Sequence, residues 1–345
     1  MKSHGYAAQN AKTPLAPWNF ERRDPQPTDV VVAIKYCGVC HSDIHQARDE
    51  WGGALFPMVP GHEMVGEVIA VGSAATKFKV GDLAGIGVMA YSCGKCPSCV
   101  EGEEQFCKST VFTYNSRDEY GELAQGGYAN NYVVDERFAL KISPKLDLAS
   151  SSPLLCAGIT TYSPLRAAGV KAGMKVGVVG LGGLGHMALK FAHAFGARVT
   201  QFTTTLNKKD DAMRLGADEV VLSTDAKAME AAAGTFDFIL DTVAAPHDMN
   251  QYLGLLRPHG RYTFVGIPHK AMEVEPFSLI AGNKTLSGSM IGGVAQTQEM
   301  LDFCAKHGIT ADVEIIPIQG INEAFERVLK SDVKYRFVID MSTLG

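Results

Sequence analysis

The chain has 345 residues, a length that suits two domains at roughly 150 residues each. Hydrophobic residues make up 46% and charged residues 20%, ordinary globular values that exclude a disordered or fibrous chain. The net charge of -5, from 32 Lys and Arg against 37 Asp and Glu, excludes the concentrated basic face that nucleic acid or an anionic membrane surface requires.

The first residues, Met1-Lys2-Ser3-His4-Gly5-Tyr6, carry no apolar signal core. Short apolar runs broken by glycine follow at 30–36, 65–71, 83–88 and 128–134. That rhythm of short strands and tight turns predicts an all-β barrel or sandwich. The longest uncharged stretch, 148–165, contains four serines with Pro153 and Pro164, so it is a poor membrane span. The composition shifts near 150–153. Beyond it the pattern predicts a buried strand at 176–179, a helix at 184–195, a strand at 197–202 and a helix at 208–215. Strands follow at 219–222, 236–241 and 261–265. Such alternation predicts a doubly wound parallel sheet, making the chain α/β beside its β-rich first part. An amphipathic helix near 298–307 and a strand at 335–339 come last. No signal core and no span place the chain in the cytoplasm, where eight cysteines serve as thiols or metal ligands rather than disulfides.

Cys93, Cys96, Cys99 and Cys107 follow the spacing C-x2-C-x2-C-x7-C. A short loop bearing Gly94 and Pro97 can wrap four thiolates round one tetrahedral zinc, and four sulfurs leave no open position, so such a site is structural. An iron–sulfur cluster uses the same ligands, but nothing else in the sequence suggests electron transfer. Three further segments are individually weak: Cys37-Gly38-Val39-Cys40-His41-Ser42-Asp43, Pro60-Gly61-His62-Glu63 and Leu155-Cys156-Ala157. On residues alone the first is a redox pair, a metal half-site or the C-x-x-C-H form of haem attachment. The second is a turn histidine or a ligand, and the third a packing cysteine or a ligand.

Gly180-Leu181-Gly182-Gly183-Leu184-Gly185 has the form G-x-G-x-x-G, follows a predicted strand and opens a predicted helix. That context is what a dinucleotide pyrophosphate requires, since glycines admit the backbone and the helix N-terminus favours the charge. The second strand ends in Thr203-Thr204-Thr205, then Lys208 and Lys209, and the first carboxylate is Asp210. An acid for a free ribose 2′-hydroxyl is missing, so hydroxyls and lysine favour the 2′-phosphate of NADP(H) over NAD.

In this order the C-x-x-C-H-S-D segment, Gly61-His62-Glu63, the four-cysteine lobe and the glycine loop resemble the zinc-containing medium-chain alcohol dehydrogenases over essentially the whole chain. Within that family, 154–165 and 334–340 are most similar to the cinnamyl alcohol dehydrogenase branch and its bacterial broad-range aldehyde reductases. The resemblance implies a GroES-like β-barrel catalytic domain at 1–151 with 294–345, a Rossmann domain at 152–293, and an active site in the cleft between them. It implies a catalytic zinc on Cys40, His62 and Cys156, with Glu63 close enough to exchange onto the metal and Asp43 orienting His62. Ser42 and His45 become a proton relay and His41 a neighbour of the pyrophosphate. Thr160, Val265 and Ser289 join Gly180, Gly182, Gly183, Leu184 and Gly185 at the cofactor, with Thr203, Thr204 and Lys208 on the 2′-phosphate. Trp51, Met290 and Ile291 become pocket walls, with 289–291 on an edge strand that pairs in a homodimer. The expected protein holds two zinc ions per chain and uses NADP(H) to interconvert primary alcohols and aldehydes. Two other readings stand beside it. One is an NAD-dependent polyol or secondary-alcohol dehydrogenase, the other a non-catalytic dinucleotide-binding zinc protein.

Overall fold

The strand Asp29–Val39 organises the first part of the chain. Its apolar residues are buried along most of its length, and it pairs antiparallel with Met64–Val71, Asn131–Asp135 and Arg336–Asp340. A computed structural model describes residues 1–118 and 120–345 and divides them into two compact units, Met1–Cys156 with Gly292–Gly345, and Ala157–Ile291. In the first unit a seven-stranded sheet runs Val313–Pro317, Arg336–Asp340, Asp29–Val39, Met64–Val71, Leu83–Ile86, Ala139–Lys141, with Asn131–Asp135 also on the central strand. Register shifts between Val31 and Val32 and between Ile34 and Tyr36 mark bulges, which bend and twist a sheet.

That register decides where the chemistry lies. Cys37 stands opposite Met64, so Cys40, just past one strand, and His62, just before its neighbour, emerge at the same sheet end. Phe337 stands opposite Val39, which brings the last strand, and Arg336 with it, to that end too.

The second unit is a six-stranded sheet with every pairing parallel. Its order is Glu219–Leu222, Arg198–Thr203, Lys175–Val179, Phe236–Asp241, Leu256–Phe264, Thr285–Gly288. The central strands are buried on both faces, as parallel strands covered by helices must be. The chain first winds outward from Lys175–Val179 and then returns to its other side at Phe236–Asp241. The crevice outside the C-terminal ends of these two strands is the switch point where open α/β sheets bind ligands.

The helices and strands expected beyond residue 175 are present, with shifted ends. The helix expected at 298–307 begins earlier, as Val294–His307 with Gly293 at its N-cap. The strand expected at 261–265 is the longer Leu256–Phe264. Periodicity missed the helix Ala157–Ala167 because it is buried nearly all round and shows no polar face. It also missed the hairpin Lys2–Ala7 with Ala16–Glu21, whose two strands alternate differently. The edge strand ends at Gly288, so Ser289, Met290 and Ile291 follow it rather than lie in it. Among the described residues, no helix is long and apolar enough to cross a membrane.

Candidate active site

Cys40 is the N-cap of the short helix His41–Ala47, and the Asp43 carboxylate closes the reciprocal half of that cap by accepting the Cys40 backbone N–H at 2.9 Å. Asp43 is fully buried. It also accepts the Gly61 N–H at 3.0 Å, the Tyr128 hydroxyl at 3.1 Å and the Nδ1–H of His62 at 3.1 Å. A carboxylate only accepts, so Nδ1 carries the hydrogen and the Nε2 lone pair points away. Gly61 has φ +104, and a Cβ there would meet Tyr128 at 2.7 Å and Cys37 Sγ at 2.9 Å, so the turn before His62 admits only glycine.

One ligand atom from each of Cys40, His62, Glu63 and Cys156 lies within 4.8 Å of all the others, and all four residues are buried. Cys156 joins from the break between the 3-10 turn Ser152–Leu155 and the helix Ala157–Ala167. The Ser152 hydroxyl holds that turn by donating to the Glu63 carbonyl at 2.5 Å. The sulfurs of Cys40 and Cys156 are 4.0 Å apart. Two thiolates on one tetrahedral zinc, each at about 2.3 Å, stand about 3.8 Å apart, so this donor set fits zinc. Only one Glu63 oxygen is engaged by protein: Arg336 donates to Oε1 at 2.5 Å, while Oε2 is buried without a partner.

The Cys40 thiol is pulled well below its ordinary value by Cys156 and then by Arg336 and His62, against the cost of burial. Burial lowers the His62 pKa, but Asp43 and Cys40 outweigh it and pull it well up. Burial raises the Glu63 carboxyl to about 7 even with Arg336 opposing. Asp43→Asn keeps the shape but loses the anion behind His62. It is expected to weaken zinc affinity about 10–100-fold, read by competition with a chromogenic chelator.

The second cluster is Cys93, Cys96, Cys99 and Cys107. Its sulfurs approach to 3.5 Å between Cys96 and Cys99 and 3.9 Å between Cys93 and Cys99. None of the eight cysteines is in a disulfide. Backbone N–H groups of Cys93 and Ser109 point at the Cys107 sulfur and lower its pKa to about 6. Four sulfurs at these spacings suit a closed zinc site. The adjoining Glu104 carboxylate accepts the Val294 N–H at 3.0 Å, tying the lobe to the start of the helix Val294–His307.

Ser42 and His45 sit three residues apart on the helix His41–Ala47, on one face. His45 Nδ1 is 2.5 Å from Glu50, its ring lies 4.9 Å from that of Trp51, and His41 stacks on it at 5.8 Å. Trp51 is 45% exposed and serves as packing for His45 in this arrangement.

In the second unit the three motif glycines have separate reasons. Gly180 adopts φ +89 in the turn, Gly185 would drive a Cβ into the Gly180 carbonyl at 2.1 Å, and a Cβ on Gly182 would meet nothing within 4 Å. That opening is the approach a pyrophosphate needs. Gly183 and Leu184 complete the loop, with Leu184 at the N-cap of Gly185–Ala194. Thr203 ends its strand and its hydroxyl donates to the Thr205 carbonyl, Thr204 is exposed, and Lys208 caps the helix Lys209–Arg214. Thr160 is buried in Ala157–Ala167. Val265 donates its N–H to Asp241 and Ser289 to Phe264. Met290 is 44% exposed and Ile291 is buried.

Residues 26–144 match the alcohol dehydrogenase GroES-like domain, and residues 183–306 match the zinc-binding dehydrogenase family. The chain is 54% identical over 350 residues to aldehyde reductase YahK of Escherichia coli K12, covering 100% of this chain and 99% of that one. The chain belongs to the zinc-binding alcohol dehydrogenase family. It is 52% identical to a mannitol dehydrogenase of Petroselinum crispum, covering 95% of this chain and 98% of that protein. A solved cinnamyl alcohol dehydrogenase of Helicobacter pylori, complexed with NADP(H), superposes with a TM-score of 0.94 at 41% identity, over 99% of each chain. The medium-chain fold, a GroES-like domain with a parallel-sheet Rossmann domain, and the oxidoreductase class follow from these matches.

Sequence reasoning missed four groups that complete this dehydrogenase's site: Glu50 on His45, Tyr114 stacked 5.8 Å from His62, Tyr128 on Asp43, and Arg336 on Glu63. Arg336 did leave a signal, as the cation directly before the apolar buried run Phe337-Val338-Ile339.

Proposed function

We propose that this dehydrogenase reduces primary aldehydes, aromatic and aliphatic, to alcohols with NADPH, reversibly, at a zinc held by Cys40, His62 and Cys156. The observation that carries the reading is that two sulfurs and an imidazole converge from Cys40, Cys156 and His62 beside a Glu63 carboxylate whose Oε1 is held by Arg336. Three protein ligands leave a fourth position for a substrate oxygen, which is the arrangement of a catalytic zinc. When bound, the metal supplies Lewis-acid polarisation of a carbonyl and the nicotinamide supplies hydride. The chain's own residues handle the proton. The Ser42 hydroxyl both donates and accepts, so it can pass a proton to a product oxygen, with His45 as the outer member of the relay that exchanges with solvent. Glu50 accepts from His45 Nδ1, which fixes the ring and leaves Nε2 to carry the exchanging proton. Asp43 holds the His62 tautomer.

The NADP(H) assignment rests on the hydroxyls of Thr203 and Thr204, on Lys208, and on the lack of a carboxylate at that strand end. The structure solved with NADP(H) in a relative 41% identical supports it. Lys208→Ala is expected to lower kcat/KM for NADPH about 10–100-fold and leave NADH nearly unchanged, the loss of one charge-assisted hydrogen bond.

The domain division we adopt places 1–151 with 294–345 in the catalytic domain and 152–293 in the dinucleotide domain. We also assign a homodimer. The strand Thr285–Gly288 is a sheet edge, and nearby Phe277 and Ile280 are 72% and 70% exposed. An open edge beside exposed apolar side chains is a template for pairing with a second copy.

The test is the initial rate of benzaldehyde reduction with NADPH and NADH, with and without a zinc chelator. A chelator-sensitive rate that favours NADPH is expected. Preference for NADH would overturn the cofactor assignment. The likeness to a mannitol dehydrogenase favours a second reading, polyol oxidation, and mannitol turnover faster than that of benzyl alcohol would establish it instead.

A further inference from the structure

Asp241, the last residue of the strand Phe236–Asp241, is a fully buried carboxylate at the sheet's switch point. Its Oδ1 accepts the Val243 N–H at 3.0 Å and its Oδ2 accepts the Tyr262 hydroxyl at 2.7 Å. His247 Nε2 lies 3.0 Å from the same Oδ2, as an ion-pair contact rather than an aligned hydrogen bond. The other ring nitrogen, Nδ1, lies 2.9 Å from the Ala245 carbonyl oxygen. A carbonyl only accepts, so Nδ1 bears a hydrogen. A neutral imidazole has just one N–H, and Nε2 would then turn a lone pair on the carboxylate. Both contacts attract only when the ring is an imidazolium.

The surroundings agree. His247 faces Asp241 from its strand, Asp248 at the N-cap of Met249–Leu253, and the Tyr252 ring edge-on at 5.6 Å. Tyr262 reaches it through Asp241. Among the described residues, the charged groups acting on it are the carboxylates of Asp241 and Asp248. Asp241 raises the His247 pKa above the ordinary 6.5, against partial burial, with Ala245 and Asp248 adding to the rise.

The segment 242–248 that this pair closes is one wall of the crevice, and the glycine loop is the other. Thr242 Oγ1 donates to the Val179 carbonyl at 2.7 Å. A Cβ on Gly180 would meet Val243 Cγ2 at 2.8 Å, and one on Gly266 would meet the Val243 carbonyl oxygen at 2.3 Å. The wall is packed tightly at its start and held at its far end by His247.

We propose that His247 is a positioning residue for the dinucleotide: as an imidazolium it pins the segment 242–248 to Asp241, and its deprotonation loosens that wall and weakens cofactor binding. The inference rests on the dinucleotide site proposed above and adds pH control to it. A histidine whose pKa is raised in the closed arrangement contributes fully below about 6.5, and its contribution is lost as pH rises through the raised value.

The test has two readings on the holoenzyme. The Kd of NADPH, from its fluorescence, is measured from pH 6 to 9.5 for the wild type and for His247→Gln, with Asp241→Asn as a second variant. Wild-type affinity is expected to fall by about tenfold as pH rises through the His247 titration, while both variants lose that fall. Histidine NMR titration without cofactor is expected to give a His247 pKa above 6.5, which rises when NADPH is added. A merely structural role would weaken binding equally at all pH and leave the slope unchanged, which overturns the proposal. So does a His247 pKa at or below 6.5. Failure of the wild type to bind NADPH or NADH at any pH would overturn the dinucleotide reading and this proposal with it, even with His247 titrating as expected.

Discussion

Cys40→Ala and His62→Ala are each expected to lower the rate of aldehyde reduction by about 10³-fold or more, because a Lewis acid contributes several kcal/mol at the transition state. The two clusters share no residue, so metal analysis should find zinc falling from two equivalents to one per chain. His62→Ala carries a second consequence. It leaves Asp43 without one of its four donors, but the Cys40 N–H, Gly61 N–H and Tyr128 hydroxyl remain. The fold around Asp43 should therefore persist, and the variant should elute and melt as a folded protein with one zinc. Substituting Cys99, in the closed lobe, should give a different pattern: one zinc lost and stability reduced, with catalysis by the remaining folded fraction retained. Equal loss of activity from both clusters at full folding would contradict the division into catalytic and structural metal sites.

Arg336→Met is expected to be strongly destabilising to the first unit. Arg336 and Glu63 are buried, 2.5 Å apart, and come from opposite ends of the sequence. Removing one member of such a pair strands the other charge, at about 3–5 kcal/mol. The loss should depend on pH with a definite sign. Burial already raises the Glu63 carboxyl to about 7, and losing Arg336, which opposes that rise, moves it higher. A carboxyl whose folded pKa is raised destabilises progressively as pH rises from its ordinary value to the raised one. The variant should therefore be closest to wild type at mildly acid pH and weakest above neutrality, in urea denaturation followed on the protein stripped of zinc. Adding Glu63→Gln should recover most of the loss, since the stranded charge is then gone. No recovery in the double variant would show that the packing of the Arg336 stem, rather than its charge, holds the strand.

What could be read in the sequence was what chemistry writes locally. The cysteine spacing 93–107, the glycine loop and the run of hydroxyls at Thr203–Thr205 are contiguous, and each is legible because one short segment supplies the whole device. The parallel strands were legible because burial on both faces leaves continuous apolar runs such as Val176–Val179. The catalytic set was legible only through resemblance, since Cys40, His62 and Cys156 are scattered and individually bland. What stayed hidden was pairing across sequence distance. Arg336 meets Glu63 only because Phe337 registers against Val39, and Tyr128 meets Asp43 only through the sheet. His247 looks like any loop histidine until both of its nitrogens are found facing acceptors.

The order in which the ribosome makes these parts has a consequence of its own. The metal donors are on the nascent chain by Cys156, whereas the counter-charge for Glu63 lies 273 residues behind it. At about 5–20 residues per second, roughly 14–55 s pass between the two. During that interval the central strand Asp29–Val39 has an open edge where Arg336–Asp340 will dock, and Glu63 has no guanidinium. The Rossmann unit, Ala157–Ile291, is contiguous and can fold while the first unit waits. The barrel therefore closes last, and a nascent first unit is the species most in need of protection from its neighbours on the same polysome.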